Sequence, residues 1–449
     1  MASILTDALP VFLELAPAFT RPTFGRAQLL VVAAVLTTGR RTIANLLRTL
    51  GVLVPGQASS YHRVLSQARW SGLQLATLLL RFLLRHFWLT GRIRLVGDDT
   101  VDEHRGPKVY GKGRHRDAVC SSKNYTAFRY GHKWVVLAVL VSFPFTQRPW
   151  ALPVLIALYR CPEENRRRSR PHKTPAELMQ LLLRLLLRWF PQRQFLFVGD
   201  SGFGSHALAS FAARQGGRLS LVSRFVADAN LYDPPPQIVG KKSSGRPRQK
   251  GAKRPAPQTV VSQAWRQRLT VSWYGGGRRR VEVVSAVGHW YKAGQGLVAL
   301  RWVYVHDCTG THRDDYLYST DTGLTVPEII EAYTGRWNIE TTFQETRAYL
   351  GLETTRGRKR ETVLRAAPCL LGLYTLVSLW YWQLPELAKA DWGVMWAGKE
   401  AMTFSDALTA VRRWLWSDWV FATAGHDATF SKLPNAFRDI LFTALAPAA

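Results

Sequence analysis

Apolar residues along this chain recur with two different periods, and the changes between them divide the chain into regions. Residues 1–90 contain long Leu and Ala runs with helical spacing, interrupted by prolines, which predicts a helical N-terminal domain. From Arg92 to about residue 224 the apolar runs are mostly short and strand-like. Helical spacing returns in residues 320–382, and residues 383–449 are predicted to form a helical C-terminal region.

Region 91–224 is predicted to combine strands and helices in a defined order. The order is three strands, a helix, a strand, a helix and a strand, over residues 93–97, 133–142, 152–159, 175–190, 195–199, 205–215 and 219–223. The first and fourth strands end alike, in Val96-Gly97-Asp98 and Val198-Gly199-Asp200. Carboxylates just beyond an apolar strand lie at the mouth of a sheet, where metals and substrates commonly bind. A strand-end turn or a helix cap would also place an aspartate there.

Residues 225–319 are predicted to form a β-rich insertion. Alternating runs at 269–274, 279–287 and 297–305 predict a β-meander. Residues 240–258 are of low complexity and predict a disordered basic loop, whose candidate DNA-binding residues are Lys241, Lys242, Arg246 and Arg248. The insertion also holds four tryptophans, each expected first of all to pack in a core: Trp265, Trp273, Trp290 and Trp302.

Composition adds a strong constraint on the partner. The 449 residues include 60 Lys and Arg against 31 Asp and Glu, a formal charge of +29. This charge favours a polyanion as the partner, with nucleic acid the first candidate and an anionic membrane surface the second.

The four cysteines form no Cys-x-x-Cys pair, which favours a reducing cytoplasm and argues against a structural zinc site. No secretory signal is predicted. Residues 366–382 carry no charge but include Pro368 and are short for a membrane span, so a buried core helix is expected.

Two short helices are predicted within the N-terminal domain, at residues 42–50 and 59–68, joined by a turn with Gly and Pro. A DNA-binding helix-turn-helix has this form, and its recognition helix would begin with Ser60, Tyr61, His62 and Arg63. A helical hairpin in a bundle fits the same pattern.

The helix that follows Pro327 gathers polar side chains of different chemistry on one face. At about 100° per residue, four of them fall within roughly 60° of one another around the axis: Tyr333, Arg336, Glu340 and Arg347. Glu331 and Glu345 lie roughly 100° or more from Glu340 on the same count. The acid of this face is therefore Glu340. A salt-bridged surface helix would show a similar pattern.

This spacing of Tyr, Arg, Glu and a basic residue resembles the Tyr-Arg-Glu-Lys signature of a branch of bacterial insertion-sequence transposases with an Asp-Asp-Glu triad. Tyr333, Arg336 and Glu340 match it directly, and Arg347 stands where the family usually has Lys. Arg and Lys are not interchangeable at a positioned phosphate, so the geometry at this position is open. The resemblance covers roughly residues 92–380.

The order of elements in region 91–224 is that of an RNase H-like fold, in which the first and fourth strands lie side by side. Asp98 and Asp200 would then meet, and the helix in 320–382 would bring Glu340 to the same edge. The resemblance implies two Mg²⁺ or Mn²⁺ ions, with Asp98 binding both, Asp200 one and Glu340 the other. Asp98 fits the family pattern of Asp, any residue, then Thr or Ser. Strand alternation does not distinguish it from Asp99, which stays an alternative.

The expected DNA contacts are Tyr333, Arg336 and Arg347 on this helix, and Arg356, Arg358 and Lys359 in the basic turn after it. The resemblance implies a transposase that cuts the terminal inverted repeats of its element and joins them to double-stranded target DNA. It would act as a homodimer at the bacterial nucleoid, without a membrane. In such transposases the β-rich insertion helps to hold a flipped base beside a DNA hairpin, so one of the four tryptophans is a candidate for that contact. Two alternatives stay open: an RNase H-fold nuclease that cuts without joining, and a catalytically inactive DNA-binding descendant.

Overall fold

The fold is seen in a computed structural model that describes residues 10–88, 90–117, 120–122, 124–236, 248–386, 389, 399 and 401–447. Within these residues the chain is a mixed α/β structure built on an eleven-stranded sheet. Three of the four candidate DNA-binding residues of the predicted basic loop lie outside the described residues, namely Lys241, Lys242 and Arg246. The fourth, Arg248, is described and exposed.

The strands are, in chain order, β1 (Ile93–Glu103), β2 (Gly113–Arg116), β3 (Phe128–Val141), β4 (Trp150–Tyr159), β5 (Phe195–Gly199), β6 (Leu219–Arg224), β7 (Leu231–Tyr232), β8 (Gln267–Ser272), β9 (Arg278–Lys292), β10 (Gly296–Asp307) and β11 (Asp315–Ser319). They are arranged as β2-β3-β1-β5-β6-β11-β10-β9-β7, with β4 also paired to β3 and β8 also paired to β9. β1, β5 and β6 run parallel to one another, and the other pairs are antiparallel. The first and fourth predicted strands, now β1 and β5, are therefore neighbours.

The helices are α1 (Pro10–Leu15), α2 (Arg21–Leu36), α3 (Ile43–Leu50), α4 (Ala58–Ser66), α5 (Gly72–Phe87), α6 (Pro162–Arg167), α7 (Pro175–Trp189), α8 (His206–Ala213), α9 (Pro257–Gln263), α10 (Val326–Gly335), α11 (Asn338–Leu350), α12 (Arg360–Gln383), α13 (Phe404–Trp414), α14 (Asp427–Ser431) and α15 (Asn435–Leu445). Short 3₁₀ turns occupy Ala16–Ala18, Gly51–Leu53, Tyr274–Gly276 and Leu352–Thr354, and a π-helical stretch occupies Leu415–Phe421.

The middle of the sheet is buried on both faces. Every residue of β3 from 134 to 141 is buried, which explains its unbroken apolar sequence. Helix α7 packs on β3 and β4, and α11 and α12 pack on β4. Helix α10 begins with a capping box in which Thr325 and Glu328 each accept a backbone N–H from the other residue. This capping box fixes the residue at which α10 begins after β11. Helix α10 then leads to the candidate site.

Three elements differ from the sequence prediction. β1 does not end at Gly97, because its pairing with β3 continues to Glu103↔Gly131 after its pairing with β5 has stopped. The single helix predicted after Pro327 is divided into α10 and α11, although Arg336 and Trp337 between them keep helical backbone angles. The strands of the predicted meander are present, but they extend the same sheet, because β10 pairs with β11 and β11 pairs with β6.

Helix α12 contains the uncharged stretch noted in the sequence. Among the described residues it is the one helix long and apolar enough to cross a membrane, and 61% of its most apolar window is buried inside the protein. Thr375 in this helix donates a hydrogen bond to the carbonyl of Pro153 in β4 at 2.8 Å. The helix is thus joined to the sheet by a buried polar contact as well as by apolar packing.

Candidate active site

Asp98 and Asp200 hold equivalent positions on neighbouring parallel strands. β1 and β5 are paired from Ile93↔Phe195 to Gly97↔Gly199, and each aspartate is the next residue along. Neighbouring strands lie about 4.8 Å apart, so the two carboxylates share one end of this parallel pair. The predicted meeting of the two strand-end aspartates is therefore seen in the backbone pairing.

The glycine before each aspartate is required by close packing. A Cβ on Gly97 would lie 2.5 Å from Cε of Met179 and 2.6 Å from Cε2 of Phe197. A Cβ on Gly199 would lie 2.6 Å from Cβ of Phe203. The repeated Val-Gly-Asp sequence thus reflects two sites where a larger residue would force neighbouring side chains to move.

Arg336 connects the first aspartate to the glutamate of the helical motif. Its Nη1 donates to Oδ2 of Asp98 at 2.8 Å, and its Nη2 donates to Oε1 of Glu340 at 2.8 Å. The guanidinium is largely buried, whereas the Glu340 side chain is 45% exposed. Burial alone would lower the pKa of Arg336, but the two carboxylates raise it above its ordinary value. Arg336 therefore stays charged and brings two predicted triad members within reach of one side chain.

The carboxyl group of Asp98 is strongly perturbed. Burial raises its pKa to about 7, Arg336 acts in the opposite direction, and repulsion from Asp200 adds to the rise. A buried carboxylate beside a second acid is an environment in which a bound divalent cation would offset the remaining repulsion.

Asp99 has a different partner from Asp98. Its Oδ1 lies 2.9 Å from Nζ of Lys133 on β3. Burial raises the pKa of Asp99, and Lys133 opposes that rise. Since Arg336 joins Asp98 to Glu340 while Asp99 is paired with Lys133, the geometry groups Asp98 with the motif acid.

Asp200 combines a structural role with an available oxygen. Its Oδ1 accepts backbone hydrogen bonds from Gly202 at 2.9 Å and Phe203 at 3.3 Å, which is the strand-end turn considered from the sequence. In the described part of the chain, no donor is within hydrogen-bonding distance of its Oδ2. The turn therefore fixes the carboxylate while leaving one oxygen free to bind a ligand.

Tyr333 is buried, and Arg347, whose side chain is 31% exposed, is held by contacts within the protein. The Tyr333 ring is only 4% exposed, and its centroid lies 5.8 Å from the guanidinium carbon of Arg336. Arg347 donates from Nη2 to the hydroxyl of Thr100 and to the carbonyl of Val101 at 3.2 Å, and its Nε lies 3.2 Å from Glu353. In this structure Tyr333 thus supports Arg336, and Arg347 fastens α11 to β1. A Tyr333 stacked on DNA would need far more exposure.

Other predicted DNA contacts lie on the surface. Arg356, Arg358 and Lys359 are exposed in the turn that precedes α12. In the predicted helix-turn-helix, His62 and Arg63 are exposed on α4. Tyr61 is fully buried, and its hydroxyl donates to the carbonyl of Pro55, so it is not available to a base.

The four tryptophans of the insertion differ in exposure. Trp302 is 1% exposed, Trp290 packs against His206, Phe225 and Tyr318, and Trp273 packs against Tyr274 and His312. Trp265, just before β8, is 84% exposed. Core packing holds for Trp302, while Trp265 presents its ring to solvent.

Two features near the site were missed in the sequence. Trp337, at the junction of α10 and α11, is 38% exposed and lies three residues before Glu340. Asp102 on β1, His104 just after β1 and His132 on β3 form a buried cluster. A prediction that let β1 run past Asp98 would have placed Asp102 on a strand, but the partner His132 is far away in sequence and only the sheet pairing identifies it.

The family model described as DDE superfamily endonuclease matches residues 14–280, which is more than half of the chain. The chain belongs to this family. The matched residues include Asp98 and Asp200 and end before Glu340. A search of curated proteins found no significant match. Among solved structures, the chain is similar to a piggyBac transposase in a cryo-EM structure of a synaptic complex with hairpin DNA, with 12% identity and a TM-score of 0.40, covering 97% of this chain and 81% of that one.

Proposed function

We propose that this protein is a DNA transposase of a bacterial insertion sequence, similar to the Tyr-Arg-Glu-Lys branch, that cuts its element's terminal inverted repeats and joins them to target DNA. The observation that carries the proposal is the position of Arg336. It bridges Asp98, which is inside the family match, and Glu340, which is outside it and was chosen from the motif alone. A residue of the helical motif thus contacts the first strand-end aspartate, and the second aspartate follows the neighbouring parallel strand.

In this proposal the triad is Asp98, Asp200 and Glu340 on an RNase H-like catalytic domain. The three carboxylates would hold two Mg²⁺ or Mn²⁺ ions, and all are hard oxygen ligands of the kind these metals prefer. Such ions would activate the attacking oxygen and stabilise charge on the leaving oxygen. Asp98 supports this fit, because its carboxyl group is buried and is repelled by Asp200. Arg336 would keep Asp98 and Glu340 in place, and the Tyr333 ring would pack against the guanidinium of Arg336.

The DNA partner is supported by charge and by exposed groups. The chain carries a formal charge of +29. Arg356, Arg358 and Lys359 are exposed beside the helix that carries Glu340 and are suited to phosphate contacts. The exposed ring of Trp265 is the candidate for stacking on an unpaired or flipped base. We propose further that the protein acts as a homodimer in the bacterial cytoplasm, because two element ends must be cut together.

The decisive experiment uses DNA that carries the element's own ends, taken from the sequence that flanks the gene, with Mg²⁺ or Mn²⁺. Wild type should cut at the element boundary, and pre-cut ends should be joined to a target plasmid. Glu340→Gln, Asp98→Asn and Asp200→Asn should each lower the cleavage rate by at least about 10³-fold, because each removes a proposed metal ligand. Glu331→Gln is the matched control, since Glu331 lies on α10 and accepts a backbone hydrogen bond from Ser272 away from the triad.

Each other outcome points to a different function. Cleavage without joining of pre-cut ends would identify a nuclease on the same fold. Specific binding of the ends without cleavage by wild type would identify a catalytically inactive DNA-binding descendant. Equal cleavage by wild type and Glu340→Gln would show that the motif acid has no part in the reaction.

A further inference from the structure

A second group of chemically suited side chains lies further along β1. Asp102 is on β1, His104 follows its end, and His132 is on β3. Their exposed fractions are 0%, 8% and 1%. One ligand atom from each lies within 4.8 Å of the others. Asp102 is four residues beyond Asp98 on an extended strand, a distance of about 13 Å, so this group is separate from the triad.

The hydrogen bonds of His132 leave one nitrogen facing this group without a partner. Its Nε2 lies 2.9 Å from the carbonyl of Tyr110, and a carbonyl accepts only, so Nε2 carries the proton. In the neutral ring, Nδ1 then has a lone pair, and it makes no hydrogen bond in the structure although it is buried. That lone pair lies 3.4 Å from Oδ1 of Asp102. Two electron-rich atoms so close in a buried site need a positive charge between them, which either a proton on Nδ1 or a bound cation would supply.

Both carboxylate oxygens of Asp102 face the histidines of this group. Its Oδ1 accepts the backbone N–H of His132 at 3.0 Å, and its Oδ2 lies 3.3 Å from Nε2 of His104. The carboxylate is therefore oriented towards both imidazoles at once. Gly131, beside His132, allows this approach, because a Cβ there would lie 1.7 Å from the carbonyl oxygen of Asp102.

We propose that Asp102, His104 and His132 form a binding site for a first-row transition metal ion of the Zn²⁺ type. Two imidazoles and one carboxylate are ligands that suit Zn²⁺, Co²⁺ or Ni²⁺, whereas Mg²⁺ prefers an all-oxygen shell. The Tyr110 carbonyl accepts the proton on Nε2 of His132 in a hydrogen bond. This contact fixes the tautomer in which Nδ1 has a lone pair for the metal. No cysteine is needed, which is why the cysteine spacing gave no sign of it.

The site would stabilise the part of β1 that carries the catalytic candidates. It joins the end of β1 to β3 and, through Tyr110, to the segment that leads into β2. All three side chains are buried, and a water molecule would complete the coordination of an ion held by three protein ligands. A structural ion of this kind would be separate from the ions proposed at the triad and would be bound without DNA.

The test is metal content and spectroscopy on the full-length protein without a histidine tag. Protein loaded with Zn²⁺, then dialysed against excess Mg²⁺, should retain about one Zn²⁺ per chain by elemental analysis. Co²⁺ in its place should give the visible absorption of a four- or five-coordinate site. Asp102→Asn and His132→Ala should bring the retained metal to background. Asp98→Asn should retain it, which separates this site from the triad.

His206→Ala is the matched control. His206 is also buried on α8, but its two ring nitrogens lie 3.0 Å from Gln295 and 3.0 Å from the carbonyl of Trp290, so its loss should leave the metal in place. The proposal is overturned if wild type retains no Zn²⁺ and shows no Co²⁺ spectrum, which would make the cluster a buried imidazolium and carboxylate pair. It is also overturned if Asp102→Asn retains as much metal as wild type. The wild-type spectrum decides the matter even if His132→Ala fails to fold.

Discussion

At the scale of single residues, Arg336 shows how buried charge is arranged at the candidate site. Taking a guanidinium out of water is costly, and the cost is offset only if its partners are well placed. Arg336 meets two carboxylates at 2.8 Å each, from a different element in each case. Its buried Nε has no partner in the described structure, so the arrangement is not one of maximal stability. What Arg336 provides instead is positioning, because this one side chain holds Asp98 and Glu340 in a fixed relation to each other.

Replacing Arg336 should therefore cost both stability and activity. Arg336→Ala leaves a buried Asp98 without its counter-charge, and we expect a loss of about 3 kcal/mol in the free energy of unfolding, measured with urea. Arg336→Lys keeps the charge but can no longer bridge two carboxylates in a plane, so it should recover part of the stability and little of the cleavage rate. Arg356→Ala, at an exposed position, is the control and should unfold like wild type. Equal stability of wild type and Arg336→Ala would contradict this account.

Gly97 provides a second prediction at this scale. A methyl group there would overlap Met179 and Phe197, and overpacking of this kind typically costs 1–3 kcal/mol, so Gly97→Ala should lower the free energy of unfolding by about 2 kcal/mol. The shift of β1 should also slow cleavage, since Asp98 is the next residue. Gly25→Ala is the control, because nothing lies within 4 Å of the added carbon and alanine favours the helix. Unchanged stability in Gly97→Ala would mean that the strand moves freely at this position.

At the scale of elements, the sequence predicted the strands that carry their own apolar pattern, but it did not predict the features that are set by pairing between strands. The apolar run of β5 and the alternation of β9 and β10 were visible because each strand carries its own signal. β1 was predicted to end at Gly97 because polar residues follow, yet β3 provides partners for six more residues. The order of strands gave the adjacency of Asp98 and Asp200. The spacing of apolar residues could not show that residues 315–319 pair with β6 and so join the insertion to the sheet, because this pairing is between residues far apart in sequence.

The packing of α11 against α12 contains a titrating group outside the active site. Burial raises the pKa of Glu345 to about 7, while the Tyr374 hydroxyl, which donates to it at 3.0 Å, and Arg148 act in the opposite direction. The folded state thus keeps a proton that the unfolded chain releases near its ordinary pKa of 4.5. Stability from this group is present below that value and is lost as pH rises towards 7.

Glu345→Gln should remove that pH dependence. The variant should be more stable than wild type at about pH 8, by up to about 3 kcal/mol, and close to wild type at about pH 4.5, because glutamine stays neutral and can still accept the Tyr374 hydrogen bond. Urea unfolding at the two pH values measures the difference. Glu386→Gln, with a side chain 89% exposed, should change stability little at either pH. A variant that is less stable than wild type at the higher pH would show that the ionised form is favoured in the fold.

At the scale of the whole molecule, charge and sheet continuity act together. A formal charge of +29 disfavours the compact state unless a polyanion is bound, so the proposed DNA partner is expected to stabilise the protein. The strands of the insertion continue the sheet that holds the triad candidates. A DNA base bound near β8 and a phosphate bound near α11 would therefore contact parts of the protein that one continuous sheet connects, rather than two linked domains.

Trp265 allows this view of the whole molecule to be tested. Its ring is 84% exposed, so Trp265→Ala should leave the free energy of unfolding within about 0.5 kcal/mol of wild type. If the ring stacks on a base, the same change should weaken binding of hairpin or unpaired DNA ends by about 1–3 kcal/mol, and binding of fully paired DNA much less. The slope of affinity against salt should stay the same, because no phosphate contact is lost. Phe437→Ala, another exposed aromatic at 53%, controls for loss of surface area. Equal weakening on paired and unpaired DNA would remove base stacking from the account and leave Trp265 as a general contact.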